Sequence, residues 1–283
     1  MVKENTKASF NWFPGHMAKA FKDLENSIKL VDLVIEVRDA RMPFASSNKA
    51  LEDLCKNKNR LIILNKADLL DKESLHKLES IFNDSNILLL DSKKVSSRNI
   101  IISKIKELSK SKIDKNIKRG IKNTEIRVMI VGIPNVGKST IINTVSSKKS
   151  VKVENKPGVT RSLQWVSIDK SIKLLDTPGV FSPKFNNNEE AMVLSILGSI
   201  NDDVINIEEC AEYACKYIND IDKKILIDRY GIAPDNDYLE VIGNKNNIYK
   251  GKGIVDVNKT AHMIINDIRN GKLGNFIWEK INA

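Results

Sequence analysis

The sequence is short of most features that mark a secreted, fibrous or membrane-spanning chain. Its three cysteines, Cys55, Cys210 and Cys215, are too few for a disulfide framework, and they lack the Cys-x-x-Cys and paired histidine spacing of a zinc site. Idle, buried thiols are expected. With 7 prolines and 13 glycines in 283 residues, a collagen-like or low-complexity chain is excluded. No apolar run approaches the roughly 20 residues needed to cross a bilayer. The opening stretch MVKENTKASFNWFPG has no continuous apolar segment of the signal-peptide kind. A cytoplasmic protein without a membrane partner is the expectation.

What is present instead suits a folded globular chain, with 41% hydrophobic and 29% charged residues, long enough for one α/β domain and a second, smaller one. The net charge is +10, and it is lopsided. Residues 184–283 hold 12 basic and 16 acidic side chains, so of the 46 basic and 36 acidic in all, residues 1–183 hold 34 and 20. Such a surplus suits a polyanionic partner without identifying it.

Four β-branched apolar runs read as buried strands: Val31 to Val37, Leu61 to Leu64, Ile126 to Val131 and Ile172 to Leu175, each ending in a polar or glycine-rich turn. Ile87 to Leu90 is a shorter fifth, and Trp165 to Ile168 a hairpin partner for the strand at Ile172. Helical patterns between them predict a doubly wound α/β sheet with ligand loops at the carboxyl ends of its strands. Ahead of it, Met17, Phe21, Leu24 and Ile28 recur at helical spacing and predict an amphipathic helix packed on the sheet. After Phe185 only helical patterns follow, at Glu189 to Ile200, Ile207 to Ile218, Lys223 to Tyr230 and Val257 to Asn270. The expected division is therefore 1–183 for the sheet domain and 184–283 for an all-helical one.

Gly132-Ile133-Pro134-Asn135-Val136-Gly137-Lys138-Ser139 fits G-x-x-x-x-G-K-[ST] and lies between a strand and a helix, where a phosphate loop has to be. Glycines let the backbone wrap closely round phosphate, N–H groups from Asn135 to Thr140 supply positive dipoles, and Lys138 adds a full charge. Ser139 is the expected magnesium ligand. Asp176-Thr177-Pro178-Gly179 follows the strand at Ile172; there an Asp holds magnesium, usually through water, while Gly179 can offer its N–H to the γ-phosphate. Between the two, Thr160 in Pro157-Gly158-Val159-Thr160-Arg161 is the candidate to close over the γ-phosphate and complete the magnesium shell.

Asn65-Lys66-Ala67-Asp68 points to guanine. An ionised Asp68 accepts from guanine N1 and the exocyclic amine, donors adenine lacks, so adenine would leave a carboxylate unpaired. Lys66 can lay its stem over the base and Asn65 can brace the loop. Asp91-Ser92-Lys93 is a weaker signal for a backbone N–H to guanine O6. The order is then visible: base-recognition motifs at 65 and 92 precede the phosphate loop at 132, Thr160 and Asp176, the reverse of ordinary GTPases. A circularly permuted P-loop GTPase domain follows, its old termini joined through residues 94–123, with the chain leaving the γ-phosphate sensor straight into the helical domain.

This order, together with Asn11-Trp12-Phe13-Pro14-Gly15-His16-Met17, Asp39-Ala40-Arg41-Met42-Pro43, Leu174-Leu175-Asp176-Thr177-Pro178-Gly179 and Gly271-Lys272-Leu273-Gly274, closely resembles the ribosome-biogenesis GTPase A family over nearly the whole chain. The resemblance implies a cytoplasmic GTPase that binds GTP and GDP. It also implies a partner, the maturing large ribosomal subunit with its rRNA and ribosomal proteins, on which hydrolysis quickens; DNA is not expected. Val180 stands where many small GTPases carry a water-orienting glutamine, and it cannot polarise water. His16 of the Pro-Gly-His-Met motif is the family's candidate for that task, against a structural or RNA-contacting role. Asn135 matches the residue with which related GTPases hold a potassium ion, so potassium activation is implied too.

Residues 93–122 carry 11 basic and 2 acidic side chains. A solvated helix face is the ordinary reading of such a run, and an RNA-holding connector the sharper one, because each neutralised phosphate releases counterions. Charge reversal at Lys104, Lys106, Lys110 and Lys112 is then expected to weaken particle binding. Two other readings stay open here: a signalling GTPase with a protein effector, and a nucleotide-gated RNA-binding module with vestigial hydrolysis.

Overall fold

The computed structural model describes residues 15–121, 123–146, 163–181, 185 and 187–280, with side chains from residue 18 onward. Six strands form one sheet in the order β3-β2-β1-β4-β6-β5. They are β1 (Leu33–Asp39), β2 (Asn59–Asn65), β3 (Ile87–Leu90), β4 (Ile126–Val131), β5 (Gln164–Ser167) and β6 (Ile172–Asp176). All pair in parallel except the edge strand β5, which runs antiparallel to β6 as the hairpin reading expected.

Alternation along the strands divides two cores. Leu33, Ile35, Val37, Val128, Ile130 and Leu174 point to one face. Val34, Met129, Val131 and Leu175 point to the other, where Leu24 and Ile28 cover them. This is the period of two expected of a sheet covered on both sides. The covering helix, α1 (Gly15–Ser27), starts two residues earlier than its periodicity suggested and ends in a single 3-10 turn. β1 is buried at every residue although it contains Glu36 and Arg38. The two neutralise each other at 2.6 Å, with Glu52 at 2.7 Å and Arg60 at 3.4 Å completing the network, which is what a buried charge needs.

Helices α2 (Lys49–Leu54) and α3 (Lys72–Ile81) follow β1 and β2. They begin on Asn48 and Asp71, whose side chains accept from Leu51 N–H and Ser74 N–H, the capping that orphan amide groups require. The connector between the two halves of the sheet is α4 (Ser96–Leu108) and α5 (Lys110–Lys118), which carry the chain from β3 at one edge back to central β4. α6 (Lys138–Val145) follows β4. Beyond β6 every described regular element is helical: α7 (Asn188–Ile196), α8 (Ile207–Asp222), α9 (Lys224–Tyr230), α10 (Tyr238–Lys245) and α11 (Val257–Arg269), apart from short 3-10 turns. α8 turns Ile207, Cys210, Ala211, Ala214, Cys215 and Ile218 inward at helical spacing, against Ala261, Ile264, Ile265 and Ile268 of α11. All three cysteines are free and buried.

The last described segment, 275–279, crosses back onto the sheet's loops. Asn275 O accepts from Asp71 N–H at 2.6 Å, and Arg41 O accepts from Trp278 N–H at 2.7 Å. The Glu279 carboxylate accepts from Phe44 N–H at 3.0 Å and from Ala45 N–H. Burial pushes the Glu279 carboxyl up to about 7, the two amides pulling the other way. Ile277 joins Ala40, Leu64, Leu70 and Leu78 in a small core of its own.

Candidate nucleotide site

The strand order reverses between β1 and β4: β1 leads outward to β2 and β3, β4 to β6 and β5. A crevice at the carboxyl ends of the strands on either side of such a switch point is where open α/β sheets bind ligands. Every described nucleotide motif lies at a carboxyl end. Asn65 closes β2, Asp91 follows β3, Gly132 follows β4 and Asp176 closes β6, and the end of β1 at Asp39 lies among them.

The phosphate loop joins β4 to α6 through Gly137, whose φ is +102°, and a Cβ there would collide with the Asn65 amide. Lys138 is buried, and its ammonium folds back to donate to Gly132 O at 3.1 Å and Ile133 O at 2.8 Å. Burial lowers its pKa to about 8, the Asp176 carboxylate acting against that. A phosphate oxygen would be a stronger partner for this cation than two neutral carbonyls. Ser139 and Thr140 are half-buried in the first turn of α6, and Val136 is buried.

Asp176 is 1% exposed, and neither carboxylate oxygen has a hydrogen-bond partner among the described residues. Burial pushes it up to about 6, with Lys138 opposing. An orphaned buried carboxylate is rare and calls for a partner; a divalent cation beside a phosphate loop fits it. Gly179 passes so close to the phosphate loop that a Cβ would lie 2.7 Å from Pro134 N. Val180 is buried, and Asn48 donates to its carbonyl at 2.9 Å.

The base-side loop is braced by three hydrogen bonds. Asn65 donates to Val136 O at 2.8 Å and accepts from Ser92 N–H at 3.1 Å, so one side chain ties the base loop to both the phosphate loop and the loop after β3. Lys66 adopts φ +65° and Asn135 φ +62°, a conformation that costs non-glycine residues energy and marks functional loops. The two meet where Lys66 Nζ donates to Asn135 O at 2.7 Å. Asp68 is a quarter exposed, with Lys93 Nζ at 3.8 Å. The N–H of Lys93 goes to its neighbour Asp91 at 2.9 Å. An amide of this loop that serves guanine O6 has first to release an internal bond.

Sequence reasoning gave no role to three further connections. Asp39 is fully buried and accepts from Lys66 Nζ at 2.7 Å and from Arg41 at 2.8 and 3.0 Å. Asn135 donates through its amide to Gly198 O, 2.6 Å away just past the end of α7. The segment 275–279 sits on the loops after β1 and β2. Only the Asp39-Ala40-Arg41 motif carried a signal, and it was not a chemical one. Thr160 lies outside the described residues, as does the side chain of His16, whose backbone is in the first turn of α1.

A family described as 50S ribosome-binding GTPase matches residues 127–227. The chain is 37% identical to a protein named Ribosome biogenesis GTPase A from Bacillus pumilus over 278 residues, 96% of this chain and 99% of that one. It is 39% identical to one of the same name from Bacillus licheniformis over 275 residues, 95% and 97% of the two chains. Among solved structures, GNP-bound YlqF from T. maritima aligns with a TM-score of 0.66 at 26% identity, covering 93% of this chain and 98% of that one.

Proposed function

The chain belongs to the ribosome biogenesis GTPase A family, and from that premise we propose that it acts in the cytoplasm on the precursor of the large ribosomal subunit, contacting rRNA. It is a GTPase of ribosome biogenesis that binds GTP and GDP. The observation that carries the site assignment is the gathering of five carboxyl-end loops, drawn from both halves of a permuted chain, around one crevice.

Within the site, Asn65, Lys66 and Asp68 hold guanine with Ser92 and Lys93 beside them. Residues 135–140 wrap the phosphates, Lys138 turning from its own loop's carbonyls to the β and γ oxygens. Ser139, Asp176 and Thr160 would hold magnesium, which when bound offsets charge on the β and γ phosphates. Gly179 offers its N–H to the γ-phosphate, His16 places the water, and Asn135 holds potassium. The division into 1–183 and 184–283 belongs to the same proposal, supported by the change to helix alone after β6.

The test is GTP hydrolysis with and without large-subunit precursor particles, in potassium and in sodium. Stimulation of about tenfold or more by the particle, lost without potassium, is expected. No stimulation by any particle despite tight GTP binding would send the search to a protein effector.

For RNA, the connector's charge divides into two groups. Lys104 pairs with Glu107 at 2.7 Å, Lys106 with Asp169 at 3.7 Å and Lys112 with Asp32 at 2.7 Å, so reversing these disturbs the protein's own ion pairs. Lys110, Lys115, Lys118 and Arg119 are exposed on or just after α5 and form no ion pair with the described residues. Reversing these four is expected to weaken particle binding and to flatten its salt dependence by about 0.7–0.9 in log–log slope for each phosphate no longer neutralised, with GDP binding unchanged. Unaltered binding and slope would remove the connector from the RNA interface.

A further inference from the structure

The Asp39-Ala40-Arg41 motif has no part in the chemistry above, yet its carboxylate is the most enclosed charge near the site. Asp39 is 0% exposed and ends β1 directly opposite Asn65 in the β1 and β2 register. Its two oxygens receive Lys66 Nζ at 2.7 Å and the Arg41 guanidinium at 2.8 and 3.0 Å, with Arg41 N–H at 3.1 Å. The same Lys66 ammonium donates to Asn135 O at 2.7 Å. One cation therefore spans from the base loop to the phosphate loop, and Asp39 fixes its far end.

We propose that Asp39 is a positioning residue for nucleotide binding, holding Lys66 so that the base loop and the phosphate loop keep the separation a guanine nucleotide requires. Without the carboxylate, the Lys66 ammonium would face the like charge of Arg41 and lose one of two fixed acceptors. A long side chain with two anchors is held in one rotamer; with one it is free to leave the base and the phosphate loop. Burial lowers the Lys66 pKa, with the Asp39 carboxylate acting against it. Arg41 spans both Asp39 oxygens and shares Oδ2 with Lys66, and its own carbonyl accepts from Trp278 N–H at 2.7 Å, which anchors the motif to the C-terminal segment.

This inference rests on Asn65 to Asp68 being the guanine loop, and the experiment separates the two. GDP affinity of the full chain is measured for Asp39→Asn, Lys66→Met and the double variant, with kcat at saturating GTP on the particle. Asp39→Asn and Lys66→Met are each expected to weaken GDP binding by about tenfold or more. The double variant should lose no more than Lys66→Met alone, since both act through one interaction. For Asp39→Asn, kcat at saturating GTP should stay within about threefold, because a uniform loss of binding raises KM alone. A role confined to folding would lower the melting temperature without this split.

If Lys66→Met leaves GDP affinity unchanged, the guanine-loop reading itself fails. If it weakens binding while Asp39→Asn does not, or if the two losses add, the loop reading stands and the positioning role is overturned. Should Asp39→Asn not fold, Arg41→Gln decides, because it keeps the Asp39 and Lys66 pair. Retained GDP affinity there supports the proposal, and a loss equal to that of Lys66→Met overturns it.

Discussion

Replacing Asp176 with Asn is expected to make the nucleotide-free protein more stable while it abolishes hydrolysis. The carboxylate is 1% exposed and lacks a hydrogen-bond partner among the described residues, and burial raises its pKa from 3.8 to about 6. Between these two values the folded chain holds a proton that the unfolded chain has released. Stability contributed by that proton is present below about pH 4 and lost as the pH rises through about 6. At neutral pH the buried charge therefore costs about 1–3 kcal/mol, which Asn, nearly the same in shape, does not incur. Melts between pH 5 and 8 should show Asp176→Asn higher by roughly 2–8 °C at neutral pH, with the gap narrowing toward pH 5. Hydrolysis on the particle should fall about a hundredfold or more, because the site loses the carboxylate proposed to hold the magnesium that offsets phosphate charge. A variant that melts lower at every pH would show that Asp176 is held by a partner other than the cation its burial calls for.

The second large effect is a change of base. The Asp68 side chain is a quarter exposed, and among the described residues its one ion pair is with Lys93, at 3.8 Å, so Asp68→Asn should change apo stability little, within about 0.5 kcal/mol. GDP binding should fall by about 10²–10⁴-fold, since two hydrogen bonds to a charged acceptor are each worth about 1.5–3 kcal/mol and the Asn amide turns a donor toward a donor. Xanthosine diphosphate, which presents a carbonyl where guanine has its amine, should gain affinity for the variant, and ADP should bind neither form. Titration calorimetry with the three diphosphates checks this. Unchanged GDP affinity would remove Asp68 from the base site, and with it the reason for calling the site selective for guanine.

These two residues were legible without coordinates, because each sits in a short motif whose spacing is its chemistry. The same holds for the phosphate loop and for most of the sheet. Strands at Ile87 and Ile126 fall where short apolar runs put them. β1 runs two residues beyond its apolar run, since Arg38 and Asp39 are buried by pairing rather than by hydrophobicity. Lys104, Lys106, Lys110 and Lys112 show the limit of counting charge along the connector. Three of them already have acidic partners in Glu107, Asp169 and Asp32, and exposure, not composition, singles out α5.

By itself the sequence determined the permuted motif order, the α/β alternation followed by helix, and the residues proposed to meet guanine and phosphate. All of these are local patterns, set by backbone geometry over a few residues. Only the tertiary structure decided that Asp39 holds Lys66 across 27 residues, that Asn135 reaches Gly198 across 63, and that Glu279 closes on Ala45 across 234. Such partners share no period or spacing, because what brings them together is the order of strands in the sheet and the return path of the helices. The sheet's reversal between β1 and β4 makes one crevice of loops that the chain visits in the opposite order.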